Sequence, residues 1–320
     1  MLKKTRLTIA AGAVVALSAG AALADWPDRP IKLIVPFAAG GGADATARTL
    51  LPYMEKHLAG ADFVVVNRPG AGGAVGTLAV ANSSPDGYSI VQLQTPVIVT
   101  KRLESPNAGF DENSFEYIGN VVSEAATIAV LKSSEIKTLK DLLEFAKANP
   151  GRFLCGHPGD GASNHLLMLR LMKAANVKFT LVPFEGGSQA RLAVLGGHTN
   201  GACISSSGLA PSMDELNVLG QAADKRVPEL PHTPTFKEQG VNISGGSQRI
   251  WAVPKGTPPE IVEKLREALT KAMADPEYLA KVKEMGLPIE YIPGPTIEKL
   301  LHQESKEYSE LWAAEPWIKK

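Results

Sequence analysis

The chain has little cysteine: Cys155 and Cys203 are all of it. Two residues cannot staple a disulfide scaffold. Each lies in a short apolar run, so two buried free thiols are expected, with one disulfide as the alternative. Histidine is equally sparse. The six are scattered, and none forms the i, i+4 pair that would put two metal ligands on one helix face. With the cysteines far apart as well, no metal and no cofactor are expected. An excess of charge of one sign is missing too: 33 Lys plus Arg stand against 33 Asp plus Glu. Nothing here gives an electrostatic reason to expect nucleic acid. Beyond residue 23 no apolar run reaches the roughly 20 residues of a membrane helix. Nucleotide motifs fail as well. Gly70-Ala71-Gly72 is followed by Val75 where a dinucleotide fingerprint needs glycine, and no turn ends in Gly-Lys-Ser/Thr.

What is present begins with a leader. Lys3, Lys4 and Arg6 precede a run of apolar and small residues from 7 to 23, and Ala22-Leu23-Ala24 has the small-x-small form of a signal-peptidase site. Residues 1–24 are therefore expected to be a cleaved signal peptide, with a single-pass anchor as the alternative. Export to a bacterial periplasm follows. The roughly 300 residues that remain suggest two domains.

Apolar β-branched runs of strand length then alternate with helix-length stretches carrying apolar residues at three- and four-residue spacing. Strands are expected at 31–36, 63–67, 89–92, 116–121 and 127–131. A second round places them at 153–156, 179–183, 199–205 and 218–222, with a last one at 249–253. Helices are expected at 45–58, 73–81, 138–148 (Thr138 as N-cap), 163–175, 188–195 and 258–274. This order predicts parallel sheets flanked by helices, and ligands bind such sheets beyond the carboxyl ends of their strands.

The loops at those ends repeat one device. Phe37-Ala38-Ala39-Gly40-Gly41-Gly42 runs into a helix opened by Asp44. Gly156-His157-Pro158-Gly159-Asp160-Gly161 runs into Ser163, Asn164 and His165. Phe184-Glu185-Gly186-Gly187 runs into Ser188, Gln189 and Ala190. The loop after Asn67 is also glycine-rich. Glycine lets a ligand approach the main chain, and a helix start adds free N–H groups and a positive dipole end. Together these fit a carboxylate pocket made of backbone amides and small hydroxyls, each charged hydrogen bond contributing about 1.5–3 kcal/mol. Thr95, Ser205 and Ser206 end other strands facing the same space. Bland readings compete: Asp44 and Ser163 as helix caps, His165 as packing in a first turn, Arg249 as a structural arginine rather than a second carboxylate contact. An exported hydrolase is the rival function, but Gly161-Ala162-Ser163-Asn164-His165 lacks the closing glycine of a nucleophile elbow.

PIKLIVPFAAGGGADATAR, VVVNRPGAGGAVG with SPDGYSI, VPFEGGSQARLAVLGGH, ADKRVPELPHTPTFKEQG and WAVPKGTPPEIVEKL stand in order along the chain. Together they resemble the substrate-binding proteins of tripartite tricarboxylate transporters, the Bug family of periplasmic receptors. The resemblance implies a two-lobed α/β periplasmic binding protein of the type II, Venus-flytrap form. Each lobe would be a mostly parallel sheet flanked by helices, with two hinge crossings. Residues 25–122 with 249–320 would form lobe one, and 123–248 lobe two. It implies a monomer without enzymatic activity that binds a small organic carboxylate and docks with the large and small membrane subunits of a transporter; a sensor without a transporter is the alternative. Carried over, the ligand contacts would be Phe37, Ala38, Ala39, Gly40 and Gly41 on one side and Gly187, Ser188, Gln189 and Ala190 on the other, with Phe184 at the entrance. Gly159, Ser163 and His165 match the turn before the first helix of lobe two. Ser205 and Ser206 stand where many relatives carry a polar or acidic residue, which leaves the identity of the ligand open.

Overall fold

The computed structural model describes residues 26–318 except positions 38, 41, 185 and 315; the expected leader lies outside the described residues. No described helix is long and apolar enough to cross a membrane.

Strand β1 (Ile31–Val35) is the centre of a parallel trio, between β2 (Phe63–Asn67) and β3 (Ser89–Gln94). Helix α1 (Gly42–Glu55) connects β1 to β2, and α2 (Ala74–Ala81) connects β2 to β3. A short helix, α3 (Val97–Glu104), follows β3. Its apolar spacing is too brief to stand out beside Pro96.

Next comes β4 (Phe115–Leu131), a single strand of 17 residues. The sequence pattern suggested two strands, broken near Ser123-Glu124. The break does not occur, because both polar side chains find hydrogen-bond partners and neither glycine nor proline stands between Val121 and Thr127. Lobe two continues with α4 (Leu139–Ala148), β5 (Leu154–His157), α5 (Ser163–Ala175), β6 (Thr180–Pro183), α6 (Gly187–Leu195), β7 (Gly201–Ser205), a 3-10 turn (Ser206–Ser212) and β8 (Leu216–Ala222). The chain returns along β9 (Gly246–Pro254) and ends with α7 (Pro259–Met273), α8 (Pro276–Glu284), β10 (Ile289–Pro293) and α9 (Gly294–Ala314). Thr138 does cap α4, in a reciprocal box: its hydroxyl accepts from the Asp141 amide and the Asp141 carboxylate accepts from the Thr138 amide.

The strand order is β2-β1-β3-β9-β4-β7-β5-β6, with β8 and β10 also on β4. Each lobe thus contains three parallel strands, and β4 and β9 run antiparallel beside them. β9 pairs with β4 from Phe115 to Ala125, whereas β7 and β8 take over at Ala126. The switch is sharp because the two crossing strands press together at Gly246. A Cβ there would collide with the Glu124 carbonyl.

Both faces of each sheet are covered. In lobe one, Leu33, Trp251, Leu50, Leu265 and Tyr278 pack under α1, α7 and α8; Ile250, Tyr117, Ile98 and Tyr308 pack under α3 and α9. In lobe two, Ile128, Phe153, Leu167 and Phe236 form one core, and Ala190, Val194, Ile204 and Leu230 the other. Each fully buried large side chain contributes about 1.5–3 kcal/mol. Cys155 and Cys203 are buried and unpaired. Burial pushes the Cys155 thiol up to about 12 and that of Cys203 up as well. Both therefore act as small apolar core residues.

Candidate functional site

The register brings the carboxyl ends of the parallel strands to the crossing. Gln94, the last residue of β3, lies opposite Arg249, and Ser205, the last of β7, lies opposite Ala126. The loops after β1, β3, β5, β6 and β7 therefore line one region between the lobes.

On lobe one, the loop after β1 is braced by its own carboxylate. Asp44, 4 % exposed, accepts from the Gly40 amide at 2.9 Å, from Arg48 Nε at 3.0 Å and from Asn67 Nδ2 at 3.0 Å. Asn67 Nδ2 also donates to the Phe37 carbonyl. The Arg48 guanidinium, aided by the Gly40 amide, holds the Asp44 carboxyl below its usual range in spite of burial. Asp44 is thus an internal brace, and the Gly40 N–H is spent on it. Gly40 itself has φ +78°, the left-handed region that favours glycine. Phe37 is half-buried, its ring against Gly73, and Ala39 is exposed. Ala38 and Gly41 lie outside the described residues.

The floor of the region is an ion pair that the sequence reading missed. Arg249 Nη2 lies 2.8 Å from Glu124 Oε1, and both residues are buried. Arg249 Nη1 donates to Thr46 Oγ1 at 3.2 Å, in the first turn of α1, and Nη2 lies where it would touch a Cβ placed on Gly42. From lobe two, the Ser207 hydroxyl donates to Glu124 at 3.1 Å. The available signal was a lone carboxylate at the middle of a long apolar run. Beside the pair, Thr95 is buried and fastens β3 to β9: its hydroxyl accepts from the Gln248 amide and its amide donates to the Gln248 carbonyl.

On lobe two, Ser163 is the first residue of α5 rather than its cap; Ala162 holds the cap position without a side-chain bond. His165 accepts from the Gly161 amide at Nδ1, 3.0 Å, and its ring stacks on that of His157 with centroids 4.4 Å apart. Both histidines gain a neighbour invisible in the sequence, and burial pushes both imidazoles down, His165 to about 4. Gly159 has φ +115° and its carbonyl meets His157 Nδ1. Helix α6 opens at Gly187 behind Gly186; Ser188 and Gln189 are exposed, whereas Ala190 is buried in the lobe core. The Phe184 ring covers Gly156. Ser205 is half-buried, and the Ser206 hydroxyl is buried with no partner among the described residues.

This arrangement has counterparts of known family. Residues 46–314 match the family described as the tripartite tricarboxylate transporter family receptor. The chain belongs to that family. It is 35% identical over 272 residues to the UPF0065 protein in the gbd 5' region of Cupriavidus necator, covering 84% of this chain and 82% of that one. Among solved structures, a TctC solute-binding protein from Polaromonas superposes with a TM-score of 0.81 at 31% identity, covering 91% of this chain and 100% of that one. The periplasmic binding protein BugD gives 0.73 at 31%, covering 92% and 100%. An R. palustris protein solved with adipate gives 0.75 at 26%, covering 90% and 98%. The family is one of solute-binding receptors, and the two-lobed fold is theirs.

Proposed function

We propose that this receptor binds a small organic carboxylate between its lobes and hands it to the membrane subunits of a tripartite tricarboxylate-type transporter. It works by binding alone, without turnover. The ligand carboxylate lies between the loop of Phe37, Ala38, Ala39, Gly40 and Gly41 and the facing start of α6 at Gly187, Ser188, Gln189 and Ala190, where the Gly40 and Ala190 amides are already taken by Asp44 and Gly186. Phe184, Thr95, Gly159, Ser163, His165, Ser205 and Ser206 complete the surroundings. The observation that carries the reading is the braced loop after β1. Asp44 and Asn67 tie Gly40 and Phe37 to a helix start, so these two points of the loop are fixed before any ligand arrives. A relative solved with adipate supports the ligand class.

Asp44, the carboxylate of the loop after β1, is spent on Arg48, Gly40 and Asn67, which leaves it little capacity for a ligand ammonium group. The ligand is accordingly an anion without an amine. Lobe one comprises residues 25–122 with 249–320 and lobe two residues 123–248, and ligand between them favours the closed arrangement. The site of action is the periplasm, reached through cleavage of residues 1–24; the periplasmic relative BugD supports this.

The test is differential scanning fluorimetry of protein refolded to strip bound ligand, against tricarboxylates, dicarboxylates, aromatic acids and amino acids. A ligand at one hundred times its Kd adds about 2.7 kcal/mol. A shift with one carboxylate class supports the reading. A flat panel, with no small acid released on denaturation, refutes it.

A further inference from the structure

We infer that His157, Asp160 and His165, on the loop between β5 and α5, form a binding site for a divalent transition-metal ion such as zinc. The inference does not rest on the carboxylate reading.

The three side chains meet at one spot. His157 Nε2 and His165 Nδ1 each lie 3.8 Å from Asp160 Oδ1. One ligand atom from each of the three falls within 4.8 Å of the other two. Their hydrogen bonds fix which nitrogens carry protons. A carbonyl only accepts, so His157 Nδ1, 3.1 Å from the Gly159 carbonyl, carries the ring proton. In the neutral ring its Nε2 is then a bare lone pair. A backbone amide only donates, so His165 Nδ1 is unprotonated too, its lone pair taken by the Gly161 amide. The two unprotonated nitrogens and a carboxylate oxygen thus confront one another with no hydrogen between them. His157 is 0 % exposed, and its Nε2 has no hydrogen-bond partner among the described residues. A buried acceptor facing acceptors is unfavourable until a cation joins them.

The donor set suits the zinc class of ion. Two imidazole nitrogens and one carboxylate oxygen select zinc, nickel or copper over magnesium and calcium, which take oxygen ligands. The carbonyl of Gly159 holding the far nitrogen of His157 is the outer-shell contact that orients metal-bound histidines. Tetrahedral zinc spaces its ligand atoms by about 3.3 Å. Asp160, with its side chain half exposed, closes from 3.8 Å and gives the ion a way in. The rings now lie 9° from parallel, so no single ion can sit in both ring planes as they stand. Binding turns the His165 ring out of the stack and replaces its bond from Gly161 by the metal bond. Three protein ligands leave a fourth position for water or another small ligand.

The test uses tag-free protein treated with EDTA and dialysed, titrated with Zn²⁺ by calorimetry and with Co²⁺ by visible absorption. One ion should bind per chain, with the absorption of a tetrahedral Co²⁺ site, undiminished by millimolar Mg²⁺. Asp160→Asn and His157→Gln should each weaken Zn²⁺ binding at least tenfold, while His57→Gln, exposed in the turn after α1, leaves it unchanged. Asp160→Asn alters a half-exposed side chain, so its unfolding curve should match that of the parent and keep the comparison fair. No saturable Zn²⁺ binding in the micromolar range, or equal binding by the parent and both variants, overturns the inference.

Discussion

Arg249 Nη2 lies 2.8 Å from Glu124 Oε1, and these two residues join the lobes at the crossing. Thr46 of lobe one holds the arginine, and Ser207 of lobe two holds the glutamate. Removing one member of a buried pair strands the other without its counter-charge, at a cost of about 3–5 kcal/mol. Arg249→Met should lower stability by that amount in urea unfolding at pH 7. The double variant with Glu124→Gln should recover much of the loss. Equal losses in the single and double variants would mean that the pair does not act as a unit.

Asp44 should matter to both stability and binding. Asp44→Asn removes an acceptor shared by Arg48, Gly40 and Asn67, and should cost about 2 kcal/mol at neutral pH and weaken carboxylate binding several-fold. The pH sign follows from the lowered native pKa. The native state holds its proton less tightly than the unfolded chain, so the contribution is full above the ordinary value of 3.8 and is lost as pH falls through the depressed native value. Parent and variant should therefore converge in stability at strongly acid pH, which acid-limb denaturation profiles would check.

Glu304 behaves oppositely. Burial raises its pKa to about 7; Arg170 pulls it back down and Glu307 adds to the rise. Its Oε2 has no partner among the described residues. The native state keeps this proton up to about 7, whereas the unfolded chain releases it near 4.5. Stability contributed by the neutral acid is present at low pH and lost as pH rises through this window. Glu304→Gln should stabilise the protein by about 2 kcal/mol at pH 8 and hardly at all at pH 4. Thermal unfolding at the two pH values decides, and a gain independent of pH would be the wrong outcome.

Gly246 has no room for a methyl group, since the obstacle is the Glu124 main-chain carbonyl and not a movable side chain. Gly246→Ala should cost about 1–3 kcal/mol by overpacking. Gly240→Ala is a poorer control than it looks, because that glycine has a positive φ although nothing lies near it. Gly208→Ala, with only ordinary contacts to Ile204, should change stability little. Equal denaturation midpoints for Gly246→Ala and the parent would mean that the crossing strands can part.

What could be read from sequence was local. The expected last long helix, 258–274, is α7 (Pro259–Met273) within one residue at each end, because its apolar period runs unbroken and prolines mark its start. Thr138 was legible because its partner Asp141 is three residues away. The braced loop was half legible: Asp44 reads as a helix-start carboxylate, but Asn67, 23 residues on, does not read as its partner. Glu124 and Arg249 stand 125 residues apart, and no spacing rule links them. The continuity of β4 was hidden because Ser123 and Glu124 look like a break until their partners are known. His157 and His165 stack from a strand end to a helix start, outside any single-helix metal spacing.

The paired crossing of β4 and β9 also limits how the lobes can move. Glu124 pairs with Ser247 and Ala125 with Gly246, so the two connections are laced to each other where they leave lobe one. Two independent tethers would let lobe two swing in any direction. A hydrogen-bonded ribbon bends and twists easily about its long axis but resists shear, since sliding one strand past the other would break the ladder. Opening and closing then reduce to bending and twisting of one ribbon, without sliding of one half of the cleft past the other.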